Sequence, residues 1–234
     1  QLQNLSANSF LIMPNRGRGF TRCYKLKTAD AALLLEKAEH VSSATGAIQG
    51  NSSVSYGSID KNYSVVGVDQ NYLAVSNLTV ERGRAISAED IEGRAMVAVV
   101  GSTVISDLFT DGQDALGSEI TVGGKKLEIV GVLKTLGARL GMVSIDEAVI
   151  VPNTTAEKSL LGSQGQVMIN AQVDNVDNTG LATSTITAVL REEHKLKSSQ
   201  EDDFRIMDAG SMVAAAQESA QTMTVLLTAV AAIT

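Results

Sequence analysis

Gln166-Val167-Met168-Ile169-Asn170-Ala171-Gln172-Val173, then Asn178 to His194, then Asp203-Phe204-Arg205-Ile206-Met207: this stretch decides the fold. Its first and last segments read as strands. Between them Leu181, Ala182, Ile186, Val189 and Leu190 fall on one face at helical spacing, which predicts an amphipathic helix. The same order occurs near the start. Phe10-Leu11-Ile12-Met13, closed by Pro14, is a short apolar strand. Thr28 is placed to cap a helix, with Asp30 in its first turn and Leu33, Leu34, Lys37 and Ala38 along it. Val41 to Gly50 then returns to a β pattern. Two strand–helix–strand units at opposite ends predict an α+β chain of two lobes. Both ends build one α/β lobe (residues 1–60 and 165–212) around an inserted mixed lobe (residues 61–164).

The inserted stretch is richer in glycine and hairpins. From Val41 to Val68, β residues alternate around Gly46, Gly50 and Gly57. Ser87 is placed to cap the turn Ala88-Glu89-Asp90. Ala95 to Gly101 reads as a strand buried on both faces, and Ser102 to Phe109 as the helix after it. Glu119-Ile120-Thr121-Val122 and Lys126-Leu127-Glu128-Ile129-Val130 flank Gly123-Gly124, a hairpin signature. Ala148 to Val151 is a further strand ended by Pro152, after which Asn153 or Thr154 caps a helix to Leu161.

With 234 residues and 44% hydrophobic content, the chain can bury a sizeable core. Aromatics are 3% and Trp is absent, so that core rests on aliphatic side chains and Met. A net charge of −7 argues against nucleic-acid binding. The single cysteine, Cys23, excludes an internal disulfide framework. One Cys and two distant histidines, His40 and His194, offer no zinc spacing. Both histidines are placed at helix ends, where a cation suits the dipole. The carboxylate pairs Glu89-Asp90, Glu192-Glu193 and Asp202-Asp203 read as solvated faces, not as acid–base machinery. Gly123-Gly124-Lys125-Lys126 is no phosphate loop, because Glu119 and Lys126 stand where that motif needs Gly and Ser or Thr. No catalytic, metal or cofactor-binding residue is therefore expected.

One loop stands out. Leu136, Gly137, Ala138, Arg139, Leu140, Gly141 and Met142 combine apolar and flexible residues without strand or helix periodicity. Exposed apolar loops of this kind mark contact surfaces, so these seven residues are the candidate site for a partner or an apolar substrate. The end of the chain is as unusual. After Glu218 no charged residue appears up to Thr234, and the expectation is a helix opening at Gly210 and running into a membrane.

The middle of the chain resembles a known family. Val66-Gly67-Val68-Asp69-Gln70-Asn71-Tyr72 is followed in order by Glu81-Arg82-Gly83-Arg84-Ala85-Ile86-Ser87-Ala88-Glu89-Asp90, Val97 to Gly101, Leu108-Phe109, Leu116-Gly117, Ile120 to Gly124, Ile129 to Leu133 and Val151-Pro152. Leu5 to Asn8, Leu11-Ile12, Leu190 to His194 and Asp203-Phe204 extend the match outward. This order resembles the MacB-type periplasmic core domain of ABC transporter permeases in the MacB/FtsX superfamily. The resemblance implies a non-catalytic extracytoplasmic domain between two membrane helices, with a Porter-like lobe, a Sabre-like inserted lobe, and residues 213–234 starting the second helix. It implies localisation at the cell membrane, with the domain facing the periplasm or the cell exterior. It implies as partners a second permease copy in a homodimer, a cytoplasmic nucleotide-binding domain that holds ATP and Mg, and an adaptor of the MacA type. The implied activity is efflux or extraction of drugs, peptides or lipoproteins, driven by mechanotransmission. Gly83 and Gly117 are expected to permit tight turns. The alternative is a stand-alone exported binding or adaptor module with a buried C-terminal helix.

Overall fold

A computed structural model describes residues 9–15, 26–110, 112–137, 139–140 and 143–208. The elements in chain order begin with β1 (Ser9–Pro14), α1 (Asp30–Lys37), β2 (Val41–Tyr56), β3 (Ile59–Val68), α2 (Tyr72–Val75), β4 (Val80–Gly83), α3 (Ala88–Glu92), β5 (Val97–Val100) and α4 (Ser102–Leu108). They continue with β6 (Glu119–Val122), β7 (Lys125–Leu133), β8 (Arg139–Leu140), β9 (Val143–Ser144), β10 (Ala148–Pro152), α5 (Asn153–Thr155), β11 (Gln166–Val173), α6 (Thr179–Glu193) and β12 (Phe204–Asp208). The expected terminal helix from Gly210, the Leu5–Asn8 motif and Cys23 lie outside the described residues.

The two strand–helix–strand units interleave. Strand order runs β12-β1-β11-β2, with every neighbouring pair antiparallel. Each helix therefore carries the chain over one strand of the other unit. This is the split βαβ arrangement of ferredoxin-like sheets. Alternation puts Phe10 and Ile12 of β1, Ile169, Ala171 and Val173 of β11, and Phe204 of β12 in one core cluster. Leu34 of α1 and Ala182, Ile186 and Leu190 of α6 cover them. Of the other two predicted face residues, Val189 is half-buried against this cluster, whereas Leu181 is 59% exposed, because α6 buries a narrower stripe than its apolar content suggests.

Beyond this layer the sheet closes on itself. The 16-residue strand β2 runs out of the layer and pairs with β3. From there the pairing passes from β3 to β10, β10 to β5, β5 to β7 and β7 to β6. Val54 and Ser55 of β2 then pair with Val122 and Thr121 of β6, completing a ring. Residues facing its inside are apolar at every other position: Val54, Tyr63, Val65, Ala98, Val100, Ile120, Val122, Leu127, Ile129, Val149 and Val151. A second cluster lies on the outside, where Val66, Val68, Val99, Leu133 and Ile150 meet Tyr72, Leu73, Ile86 and Ile145. Strand β4 pairs with the end of β7, at Gly131 to Leu133, beyond the stretch that β6 occupies. Its Gly83 has φ +80°, and a Cβ there would lie 2.2 Å from the Val130 carbonyl oxygen, so only glycine fits.

Local chemistry corrects several expectations. Thr28 does not cap α1; its Oγ1 donates to Glu157 Oε1 at 2.9 Å, tying the start of α1 to the turn after β10. Asp30 instead accepts from the Lys27 backbone N–H at 2.7 Å. Neither Asn153 nor Thr154 is the cap after β10. Pro152 occupies that position, and the turn passes into a π-helical segment at Ala156–Leu160. Ser87 does cap α3, in a reciprocal box with Asp90.

Two of the carboxylate pairs are not solvated faces. Asp90 is buried, accepts from Ser87, and takes both guanidinium nitrogens of Arg84 at 2.5 and 3.1 Å. The Arg84 hydrogen bonds hold its carboxyl below the ordinary aspartate range. Asp203 is buried against His194, whose Nδ1 lies 2.7 Å from its Oδ1. His194 is likewise no simple helix-end cation, since it is buried at the C-cap of α6. His40 is half-buried, 3.0 Å from Asp174.

Candidate partner-contact site

The candidate loop begins where β7 ends. Its root is fixed by one carboxylate. Asp146, in the 3₁₀ turn Ile145–Glu147, accepts the Leu136 N–H at 2.8 Å on one oxygen and the Gly137 N–H at 2.7 Å on the other. Asp146 is itself buried. Its turn is pinned from behind by Gly101. A Cβ at Gly101 would stand 2.4 Å from the Asp146 and Ile145 carbonyl oxygens, so the α4 start can approach this closely only as glycine. The Gly101 N–H also donates to the Ala148 carbonyl at 3.0 Å.

The predicted residues are therefore held differently. Leu136 is half-buried and packs against the outer cluster, and Gly137 turns the chain at φ +64°. Arg139 and Leu140 form β8, paired with Ser144 and Val143 of β9. Ala138, Gly141 and Met142 lie outside the described residues.

Beside the loop root is a shallow cleft of about 190 Å³. Leu78, Leu133 and Leu136 give it an apolar wall, and Asn77, Thr79, Lys134 and Thr135 form its rim. The two sides are joined by backbone. The Lys134 N–H donates to the Thr79 carbonyl at 2.9 Å, and the Leu78 N–H to the Leu73 carbonyl at 2.7 Å. Asn77 makes the turn at φ 53°, a conformation that asparagine tolerates. Sequence reasoning missed residues 77–79 because they reach the loop through the β4–β7 pairing. The available signal was local: an Asn able to turn the chain, followed by an isolated Leu78 before a strand.

Chemically, a small apolar cleft with a lysine and hydroxyls at its lip can seat an apolar side chain and orient it by hydrogen bonds. Among the described residues, no cluster of three or more His, Cys, Asp or Glu side chains is arranged to hold a metal ion. No helix among them is long and apolar enough to cross a membrane.

The first and last described strands pair with each other far from this cleft along the strand order. Strand β12 is antiparallel to β1, and Phe10 stands opposite Asp208. The described chain thus begins at Ser9 and leaves at Asp208 side by side.

Comparison with known proteins agrees with this architecture. The model for the MacB-like periplasmic core domain matches residues 1–189. A macrolide export ATP-binding/permease protein MacB from Chlorobaculum tepidum is 31% identical over 231 residues, covering 95% of this chain and 35% of the relative. A pyoverdine export ATP-binding/permease protein PvdT from Pseudomonas syringae is 30% identical over 184 residues, covering 79% of this chain and 27% of the relative. The chain thus spans about a third of the length of these curated relatives. The crystal structure of the periplasmic region of MacB from Actinobacillus actinomycetemcomitans superposes with a TM-score of 0.73 at 18% identity, covering 93% of this chain and 96% of that one. The extracellular domain of the transporter YknZ from Gram-positive bacteria gives 0.69 at 18% identity, covering 86% and 100%. Both share the fold.

Proposed function

Because the chain belongs to the MacB-like periplasmic core domain family, we propose that it is the extracytoplasmic part of an ABC-type export permease, moved by ATP hydrolysed elsewhere in the transporter. ATP and Mg are held by a cytoplasmic nucleotide-binding domain, and two permease copies work as a dimer. The domain does no bond chemistry of its own. It converts displacement of the membrane segments into displacement of a contact surface. Exported cargo is macrolide- or pyoverdine-like, as the relatives' names have it, or consists of peptides or lipoproteins.

The observation that carries this reading is the pairing of β1 with β12. Segments that precede Ser9 and follow Asp208 act on two strands held in one ladder, so a relative shift between them loads the α/β layer directly. Strand β2 continues from that layer into the closed ring. A closed ring has no free edge to yield, so the displacement passes on as a rigid movement. At the far side of the strand order, the cleft of Leu78, Leu133 and Leu136 presents an apolar contact to an adaptor of the MacA type. Asp146 keeps that contact in register with the ring.

Two measurements on the whole transporter test the proposal. A Thr135→Cys variant is expected to react with a membrane-impermeant thiol reagent in intact spheroplasts. Reaction only after lysis removes the extracytoplasmic placement. A Thr135→Trp variant, which overfills the cleft from an exposed position, is expected to fold and assemble but to lower export. Normal export by that variant removes the cleft as a partner contact while leaving the placement intact.

A further inference from the structure

His194 sits at the meeting point of three elements. Its Nδ1 lies 2.7 Å from Asp203 Oδ1, in the turn before β12, and its Nε2 lies 3.3 Å from Asp30 Oδ2, at the start of α1. All three side chains are at most 6% exposed. A carboxylate only accepts hydrogen bonds, so holding both partners requires a proton on each ring nitrogen. A neutral imidazole has one N–H. It can serve Asp30 or Asp203, and must turn a bare lone pair to the other. Asp203 has little else to hold it, since its Oδ2 is buried without a hydrogen-bond partner among the described residues.

The surroundings favour the doubly protonated ring. His194 caps the C-terminal end of α6, where the helix dipole stabilises a cation, and Asp30 opens α1, where it stabilises an anion. Among the described residues, Asp30 and Asp203 are the charged groups that face the ring. Phe204 of β12 meets it edge-on, with centroids 6.0 Å apart. Arg191, one turn back on α6, is engaged by Asp202 and by the carbonyls of Lys197 and Gln200. Glu192, Glu193, Lys195 and Lys27 are exposed to solvent.

Strand β12 is the element this arrangement controls. Among the described strands it stands at the edge of the sheet, paired with β1. Beyond the β1 ladder, its start is held by Asp203, whose carbonyl accepts the Asn15 N–H at 2.7 Å and whose carboxylate takes His194. We propose that His194 is a two-ended clamp, closed when both ring nitrogens carry protons, that fixes edge strand β12 to the start of α1 and lets pH set how firmly the chain leaving Asp208 is tied to the domain. Burial disfavours the charged ring, but the hydrogen bonds and charges of Asp30 and Asp203 outweigh it and raise its pKa. The clamp is thus closed in acidic medium and opens as pH rises through that raised value.

The test uses the chain with labelled imidazoles. His194 and His40 are its two histidines, and a His40→Gln variant assigns the signals. His194 is expected to titrate above the ordinary histidine value of ~6.5, with both nitrogens protonated below its midpoint. Hydrogen-exchange protection factors of the β12 amides are expected to fall by ~10-fold or more across that midpoint, while the ring strands keep theirs. In His194→Gln the β12 protection is expected to be low at every pH, with no step. If that variant does not fold, Asp30→Asn replaces it and is expected to lower the His194 midpoint. A midpoint at or below ~6.5, a midpoint unmoved in Asp30→Asn, or β12 protection unchanged across the titration overturns the clamp.

Discussion

The open layer β12-β1-β11-β2 and the closed ring β2-β3-β10-β5-β7-β6 share one strand but handle their edges differently. The ring hides its hydrogen-bonding edge by pairing β6 with β2. Among the described strands the layer leaves β12 at its border, where the buried His194 and Asp203 side chains meet just before it. Their apolar packing is also separate. The layer's buried cluster draws on residues between Phe10 and Ala44 and between Ile169 and Phe204, whereas the ring's clusters lie between Ala47 and Leu161. One region is closed by backbone pairing, while in the other the approach to β12 is held by buried side chains, the contrast on which the proposed transmission of movement rests.

The largest effect expected from breaking this contrast is in the layer. Asp203→Ala leaves His194 facing one carboxylate and should cost ~3–5 kcal/mol, as removal of one partner of a buried pair does. Chemical denaturation measures the loss, and hydrogen exchange should locate it first at β12. In the ring, Ile129→Ala empties a fully buried site and should cost ~2–5 kcal/mol, because the closed wall cannot collapse onto the cavity. There the protection should fall across the ring strands together.

Two buried side chains, His194 and Asp90, respond to pH in opposite directions. His194 is raised in the fold, so its contribution is complete below the unfolded histidine value and is lost as pH rises through the folded one. Asp90 is depressed by Arg84, so its contribution is present above the unfolded aspartate value and is lost as pH falls through the folded one. Arg84 is 51% exposed, so solvent screens the pair, and Asp90→Asn should cost only about 1 kcal/mol near neutral pH. That variant should remove part of the acid-side loss of stability and leave the alkaline side unchanged, as melting curves across pH can show. The smallest effect on stability should come from Thr135→Trp, within ~0.5 kcal/mol of the parent because the position is exposed.

Most of the layer was legible in the sequence. Gln166–Val173 is a strand with the predicted bounds, and Ala182, Ile186 and Leu190 are buried on α6 as their spacing requires. The Gly123-Gly124 hairpin was equally clear, since two-residue turns are local chemistry. Closure of the ring was not, because it depends on β6 meeting Val54 and Ser55, which are distant in the chain and carry no pairing signal. His194 was legible only as a residue at a helix end. Its two partners lie 164 and nine residues away, and Asp203 beside Asp202 looks like any polar turn. The candidate loop was recognisable by its lack of pattern, but its anchor, Asp146, and its neighbours at Asn77–Thr79 were supplied by topology.

In the proposed function the cleft moves with ATP while touching a partner. A photo-crosslinking residue at position 135 of the whole transporter, in membranes with and without ATP, tests it most directly. A discrete adduct to an adaptor protein is expected, with a yield that changes with nucleotide. An active exporter that gives no adduct from position 135, or one whose yield ignores ATP, contradicts it.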